Sequence, residues 1–297
     1  VSRLTRRSLI TGAATLLAAS PARAAPGAAA LRVATLDWAL LETLLAMNVT
    51  PVAAAELVLF RQVAVEPVVP PGVIDLGLRG MPNFEALRAA APELIFNSAY
   101  YVAAEPKLRL IAPVETISIY RSGALPFGRA EEAARRLAAA TGRPDAAGRL
   151  IAQAQETLAH CRAALTGWGE RPLLVINLGD ARHFRVFGPD SMFGEVLARL
   201  GLANAWTAGT SYAASAPVGL EALARFADAG IVILPPVPPD ARRILPQSAV
   251  WRALPSVREN RVVVLGSMNP FGGLPTALRF ARLLTQALTH PPGGGLG

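Results

Sequence analysis

Cysteine is the scarcest reactive residue in this 297-residue chain: Cys161 stands alone, which excludes an internal disulfide and any cysteine-cluster metal site. Histidine is nearly as rare. His160, His183 and His290 are far apart in sequence and form no HExxH-type motif, so a histidine metal cage is not expected. Lys107 is the only lysine, and the basic charge is otherwise arginine. No dense basic block with interleaved aromatics is present, which argues against a nucleic-acid partner. The one long apolar run, Leu9 to Ala19, is too short to span a bilayer. No GxSxG nucleophile elbow occurs. His183 beside Asp180 and Arg182 could be read as the catalytic grouping of a hydrolase, and it reads better as ordering the start of a strand at Phe184–Phe187.

The chain has 52% hydrophobic and 17% charged residues, which describes a core-rich folded protein. The net charge of +8 is uneven: residues 1–24 carry Arg3, Arg6, Arg7 and Arg23 and no acid, and setting them aside leaves +4. That segment has the order of an export signal: a twin-arginine-like Thr5-Arg6-Arg7-Ser8-Leu9-Ile10, the apolar run, and Ala22-Arg23-Ala24 as a small-x-small cleavage site. A mature chain starting near Ala25 and located in the periplasm is expected.

Beyond the linker at 25–30, strand-like and helix-like stretches alternate, which predicts parallel sheets. Leu31–Thr35 reads as a strand, and Asp37 is placed to cap a helix from Trp38 to Met47. Val52–Ala55 reads as a strand and Gln62–Gly72 as an extended connection. Val73–Tyr101 reads as strand, turn bearing Arg79, helix capped by Asn83, strand Leu94–Phe96, and a loop with Asn97, Tyr100 and Tyr101. Strand ends in open α/β sheets are where ligands sit, so this stretch is half of a candidate cleft. Leu108–Pro113 and Val114–Ile119 continue the alternation, and Glu131–Thr141 reads as a helix.

A long helix is expected from Asp145 to Leu165, about 30 Å at 1.5 Å per residue. A second α/β unit follows, with strands at Leu173–Leu178, Phe184–Phe187, Ile231–Leu234 and Arg261–Leu265, and helices at Ser191–Leu200, Glu221–Phe226, Val250–Leu254 and Thr276–Leu288. The two units echo one another. Asn83-Phe84-Glu85-Ala86-Leu87 precedes a buried strand much as Gly219-Leu220-Glu221-Ala222-Leu223 does. An acid in a first turn favours the helix dipole by itself. The matched pair also offers one exposed carboxylate per unit.

The segments 36–49, 66–95, 171–175, 180–206 and 250–263, taken together and in order, resemble the periplasmic substrate-binding proteins of iron–siderophore and cobalamin ABC importers, and within that family the ferric-hydroxamate branch. The resemblance implies an α/β fold of two Rossmann-like lobes with mainly parallel sheets, joined by one long bridging helix. It places the N-terminal lobe at 31–143, the bridge at 144–167, the C-terminal lobe at 168–290 and a tail at 291–297. It implies a non-enzymatic protein that captures a ferric siderophore and passes it to an inner-membrane permease, acting as a monomer without a resident cofactor. A haem- or cobalamin-binding protein of the same fold is the alternative. By resemblance, Arg79 and Tyr101 would bond the chelating oxygens. Trp38, Tyr100, Asn97, Tyr212 and Phe271 would line the cleft, and Glu85 and Glu221 would dock onto permease arginines. Val63, Asn97, Ala213 and Asn269 stand where the ferrichrome-binding pattern has tryptophan, which predicts a thinner aromatic wall.

Overall fold

The structure is a computed structural model and describes residues 31–169, 171–210 and 218–290. The expected export signal, the expected tail, Tyr212 and Ala213 lie outside the described residues.

The first sheet is built from β1 (Val33–Thr35), α1 (Trp38–Ala46), β2 (Ala53–Ala54), α2 (Leu57–Val63), β3 (Ile74–Asp75), α3 (Phe84–Ala89), β4 (Leu94–Asn97), α4 (Glu105–Leu108) and β5 (Val114–Thr116). Its strand order is β3-β2-β1-β4-β5, with every pairing parallel. The order reverses between β1 and β4, so a crevice opens beyond their carboxyl ends. α5 (Pro126–Ala140) and α6 (Pro144–Ala164) follow.

The second sheet contains β6 (Leu173–Leu178), β7 (His183–Val186), α7 (Met192–Leu200), β8 (Val218–Gly219), β9 (Gly230–Ile233), α8 (Pro239–Ile244), α9 (Ala249–Ala253), α10 (Pro255–Arg258) and β10 (Val262–Val264), and α11 (Leu274–Thr289) closes the described chain. Here the order is β10-β9-β6-β7-β8. β10, β9 and β6 run parallel, and β7 and β8 pair antiparallel.

Local chemistry sets these elements. Asp37, extended at φ −93°, accepts from the amides of Ala39 and Leu40 and starts α1. Asn83 does the same for α3 through Glu85 and Ala86, and Ser191 caps α7 through Gly194. Each such cap contributes about 1 kcal/mol. α6 begins on Pro144, whose ring suits a first helical position. It buries Ala147, Leu150, Ile151, Ala154, Leu158 and Cys161 along one stripe. That stripe belongs to a core shared by Leu40 and Leu44 of α1, Leu137 of α5, Leu197 of α7 and Leu284 of α11. α6 therefore lies in a helical layer that backs both sheets, and Cys161 is a packed side chain there.

Three expectations change. The supposed extended connection from Gln62 begins inside a helix, α2, that the periodicity did not reveal. Its N-cap, Glu56, sits at φ +58° and makes no side-chain cap bond. α5 begins at Pro126 rather than Glu131, because its first turn is capped from elsewhere in the chain. The helix expected over Glu221–Phe226 is a 3-10 helix over Leu220–Phe226.

Candidate functional site

The crevice of the first sheet is a cleft of about 320 Å³ lined by Asp37, Trp38, Ala39, Arg79, Tyr100, Tyr101 and Phe271. Asp37 and Trp38 follow β1, Arg79 follows β3, and the tyrosines follow β4, so three parallel strands deliver them to one edge. Phe271 comes from the segment that leads into α11, so both halves of the chain contribute walls.

Arg79 is held on two sides. Its Nε donates to Glu56 Oε2 at 2.5 Å, and its guanidinium lies 3.8 Å from the centre of the Trp38 ring. Stacking of this kind contributes about 0.5–2 kcal/mol, depending on desolvation. Trp38 is itself fixed, because Nε1 donates to the Ala55 carbonyl at 3.0 Å and the ring meets Phe60 edge-on at 5.4 Å. Nε is committed to Glu56 and the guanidinium also hydrogen-bonds the Tyr101 side chain, so the two donor groups are held together at the cleft.

Tyr101 lies in a 3-10 turn over Ala99–Ala104, with φ −118° and ψ 24° set apart from its neighbours. Burial pushes its phenol up, while the Arg79 charge opposes the shift. It therefore stays a neutral hydroxyl donor at neutral pH. Tyr100 is 54% exposed, with its ring 6.4 Å from that of Tyr101. Burial also raises the Asp37 carboxyl, against the hydrogen bonds it accepts and the nearby Arg79 charge. Phe271 meets Tyr120 edge-on at 5.8 Å.

Of the residues expected at the cleft, Arg79, Trp38, Tyr100, Tyr101 and Phe271 converge there. Asn97 does not. It is fully buried behind the wall, and its amide donates to the Tyr101 carbonyl at 3.2 Å, so it holds the turn rather than facing the cleft. Asn269 is also buried and accepts from the Phe271 amide at 3.1 Å. Val63 packs beside Trp38 in a separate apolar cluster. Sequence reasoning missed Asp37 and Glu56 as neighbours of the site. In the sequence Asp37 shows only a helix cap, and the Glu56–Arg79 contact spans 23 positions.

Glu85 and Glu221 are both exposed, each in a first turn. The His183–Asp180 pair belongs to the β6–β7 hairpin, where Asp180 Oδ1 accepts from the amides of Arg182 and His183 and its carboxylate meets His183 Nδ1 at 2.9 Å. It does not line the cleft. Among the described residues no group of His, Cys, Asp and Glu could hold a metal ion, and no helix is long and apolar enough to cross a membrane.

On α1, Glu42 is buried and its carboxyl is pushed up to about 8 from an ordinary 4.5, chiefly by desolvation and against bonds from Gly273 and Thr276. The folded state thus binds this proton more tightly than the unfolded chain. Its contribution to stability is complete below about pH 4.5 and is lost as pH rises through about 8. Urea unfolding of Glu42→Gln should show a flatter stability profile between those limits than the parent. An identical slope would place the titration elsewhere.

Two sheets of mainly parallel strands backed by one helical layer, with a cleft at the strand ends, define a two-lobed α/β binding protein. Residues 33–268 match the periplasmic binding protein family, and the chain belongs to it. It is 31% identical over 257 residues to the iron(3+)-hydroxamate-binding protein FhuD of Escherichia coli K12, covering 86% of each chain. Its fold matches the FhuD siderophore-binding protein of Vibrio cholerae, solved with Fe3+-Desferal, with a TM-score of 0.82 at 24% identity, covering 88% of this chain and 99% of that one. It also matches the triscatecholate siderophore-binding protein FeuA of Bacillus subtilis, solved with ferri-bacillibactin, with a TM-score of 0.68 at 19% identity, covering 86% and 92%.

Proposed function

We propose that this chain captures a ferric siderophore of hydroxamate type in the Arg79–Tyr101 cleft and delivers it to an inner-membrane ABC importer. The observation that carries the reading is the balance of charge around a well-fixed donor set. Arg79 is paired with Glu56, and Asp37 adds a second acid, so the cleft has no surplus positive charge. Hydroxamates cancel the charge of the ferric ion they wrap, whereas catecholates overshoot it and leave a strongly anionic complex. A cleft without net positive charge suits the former. The FhuD relative, whose name gives it iron(3+)-hydroxamate binding, supports the same class.

In this reading Arg79 and Tyr101 donate to the chelating oxygens, a charge-assisted and a neutral hydrogen bond. Trp38, Tyr100 and Phe271 cover the carbon skeleton. The siderophore saturates its own iron, so the iron is cargo and the protein supplies no ligand to it. The lobes are residues 31–143 and 168–290, bridged by 144–167, and the protein works in the periplasm as a monomer. Native mass spectrometry of the protein isolated from the periplasm of iron-starved cells should show the mass of a ferric siderophore. A haem or cobalamin adduct in its place would overturn the assignment.

Glu85 and Glu221 are the proposed docking carboxylates, one per lobe. Reversing both to lysine should reduce siderophore uptake by about tenfold or more, because like charge at an interface rim blocks association, while ligand affinity in solution stays unchanged. Unchanged uptake would remove them from the interface.

A further inference from the structure

α11 starts without a cap of its own: Gly273 precedes it and offers no side chain. The cap comes from the first lobe. Glu42 of α1, 231 positions away, accepts from the Gly273 amide with Oε1 and from Thr276 Oγ1 at 3.0 Å with Oε2. Next to it, Tyr120 Oη donates to the Gly272 carbonyl at 2.6 Å, also across the lobes. Gly272 has no room for a Cβ, because the Glu42 carboxylate and Thr276 occupy that space, and at Gly273 the Thr43 hydroxyl does. Both grips close on the two residues that directly follow Phe271, whose ring is in turn set edge-on against Tyr120.

We propose that Glu42 is the positioning residue of the cleft: by capping α11 from the opposite lobe it fixes the Phe271 wall against the Trp38–Arg79 side. The inference rests on the ligand reading above for its effect on affinity, but not for its effect on the Phe271 segment. A second carboxylate provides an internal control. Glu195 of α7 caps α5 in the reverse direction, accepting from the Phe127 amide at 2.6 Å, but the segment it grips contributes no residue to the cleft, whereas the segment Glu42 grips contributes Phe271. A purely structural role would make the two glutamates equivalent.

The test is a double-mutant cycle on the full chain, titrated with ferrioxamine B. Phe271→Ala and Glu42→Ala should each weaken binding by about tenfold, the effect of losing one aromatic wall. The double variant should lose no more than Phe271→Ala alone. Glu42→Gln should restore affinity, since an amide can accept from Gly273 and donate to Thr276. Glu195→Ala should lower stability and leave affinity unchanged. Ligand-free hydrogen exchange at Gly272 and Gly273 should accelerate in Glu42→Ala and not in Glu195→Ala. Additive losses in the double variant, or equal affinity losses in the two glutamate variants, would overturn the positioning role. Failure of the parent protein to bind ferrioxamine B would instead count against the hydroxamate reading. Exchange at the glycines would still decide the role of Glu42: no acceleration in Glu42→Ala would overturn it.

Discussion

Arg79→Ala is expected to weaken binding of a ferric hydroxamate by about 1.5–3 kcal/mol, roughly 10- to 150-fold, the range for hydrogen bonds to a charged group. The side chain has been prepared for this task before any ligand arrives. Glu56 at 2.5 Å and the Trp38 face at 3.8 Å hold it, so little rotamer freedom is lost on binding. Its own share in fold stability is small, because the guanidinium is 30% exposed and water screens the ion pair. Affinity and stability should therefore separate: calorimetric titration shows the loss, and the unfolding midpoint moves little. Lysine should not rescue, since a point charge cannot bond Glu56, cover the indole and present a fork together. An alanine variant that binds as tightly as the parent would remove Arg79 from the site.

Phe193→Ala is expected to have the largest effect on stability, about 3–5 kcal/mol. Phe193 is fully buried on α7. Its ring meets Phe187 edge-on at 5.0 Å and tilts against Phe280 of α11 at 4.6 Å. The three rings join the segment after β7, α7 and α11 in the core that backs both sheets. Truncation leaves a cavity in the layer that connects the sheets, and such a layer cannot collapse around it without moving a helix. Urea unfolding followed by far-ultraviolet circular dichroism measures the loss. A loss below about 1 kcal/mol would mean that the layer repacks freely.

Elements whose cause is local were readable in the sequence. Asp37 announces α1, Asn83 announces α3, and the apolar run Leu173–Leu178 is a strand with the same limits in the structure. The long helix was legible because its apolar stripe repeats along nearly the whole 21-residue element. What escaped depends on distant partners. The first turn of α5, Pro126-Phe127-Gly128, looks like a loop until Glu195, 68 positions later, caps it. α2 begins from a left-handed glutamate and carries no cap signal.

The cleft shows the same division. Arg79 and Tyr101 could be placed because they follow strands of a parallel sheet, and the sheet order β3-β2-β1-β4-β5 puts those strand ends together. The inward turn of Asn97 could not be foreseen, since a strand-end residue points to the cleft or the core according to a pleat that the sequence leaves open. Glu56 and Glu42 were invisible for a third reason: neither carries a local signal of its role until the fold brings its partner to it.

The central claim is that a cleft without surplus positive charge selects an uncharged ferric chelate. Quenching of tryptophan fluorescence tests it most directly, because Trp38 lies in the cleft wall. Titration with ferrichrome should quench saturably, while iron-free ferrichrome and a ferric tricatecholate should bind at least about a hundredfold more weakly. Equal or tighter binding of the ferric tricatecholate would contradict the account.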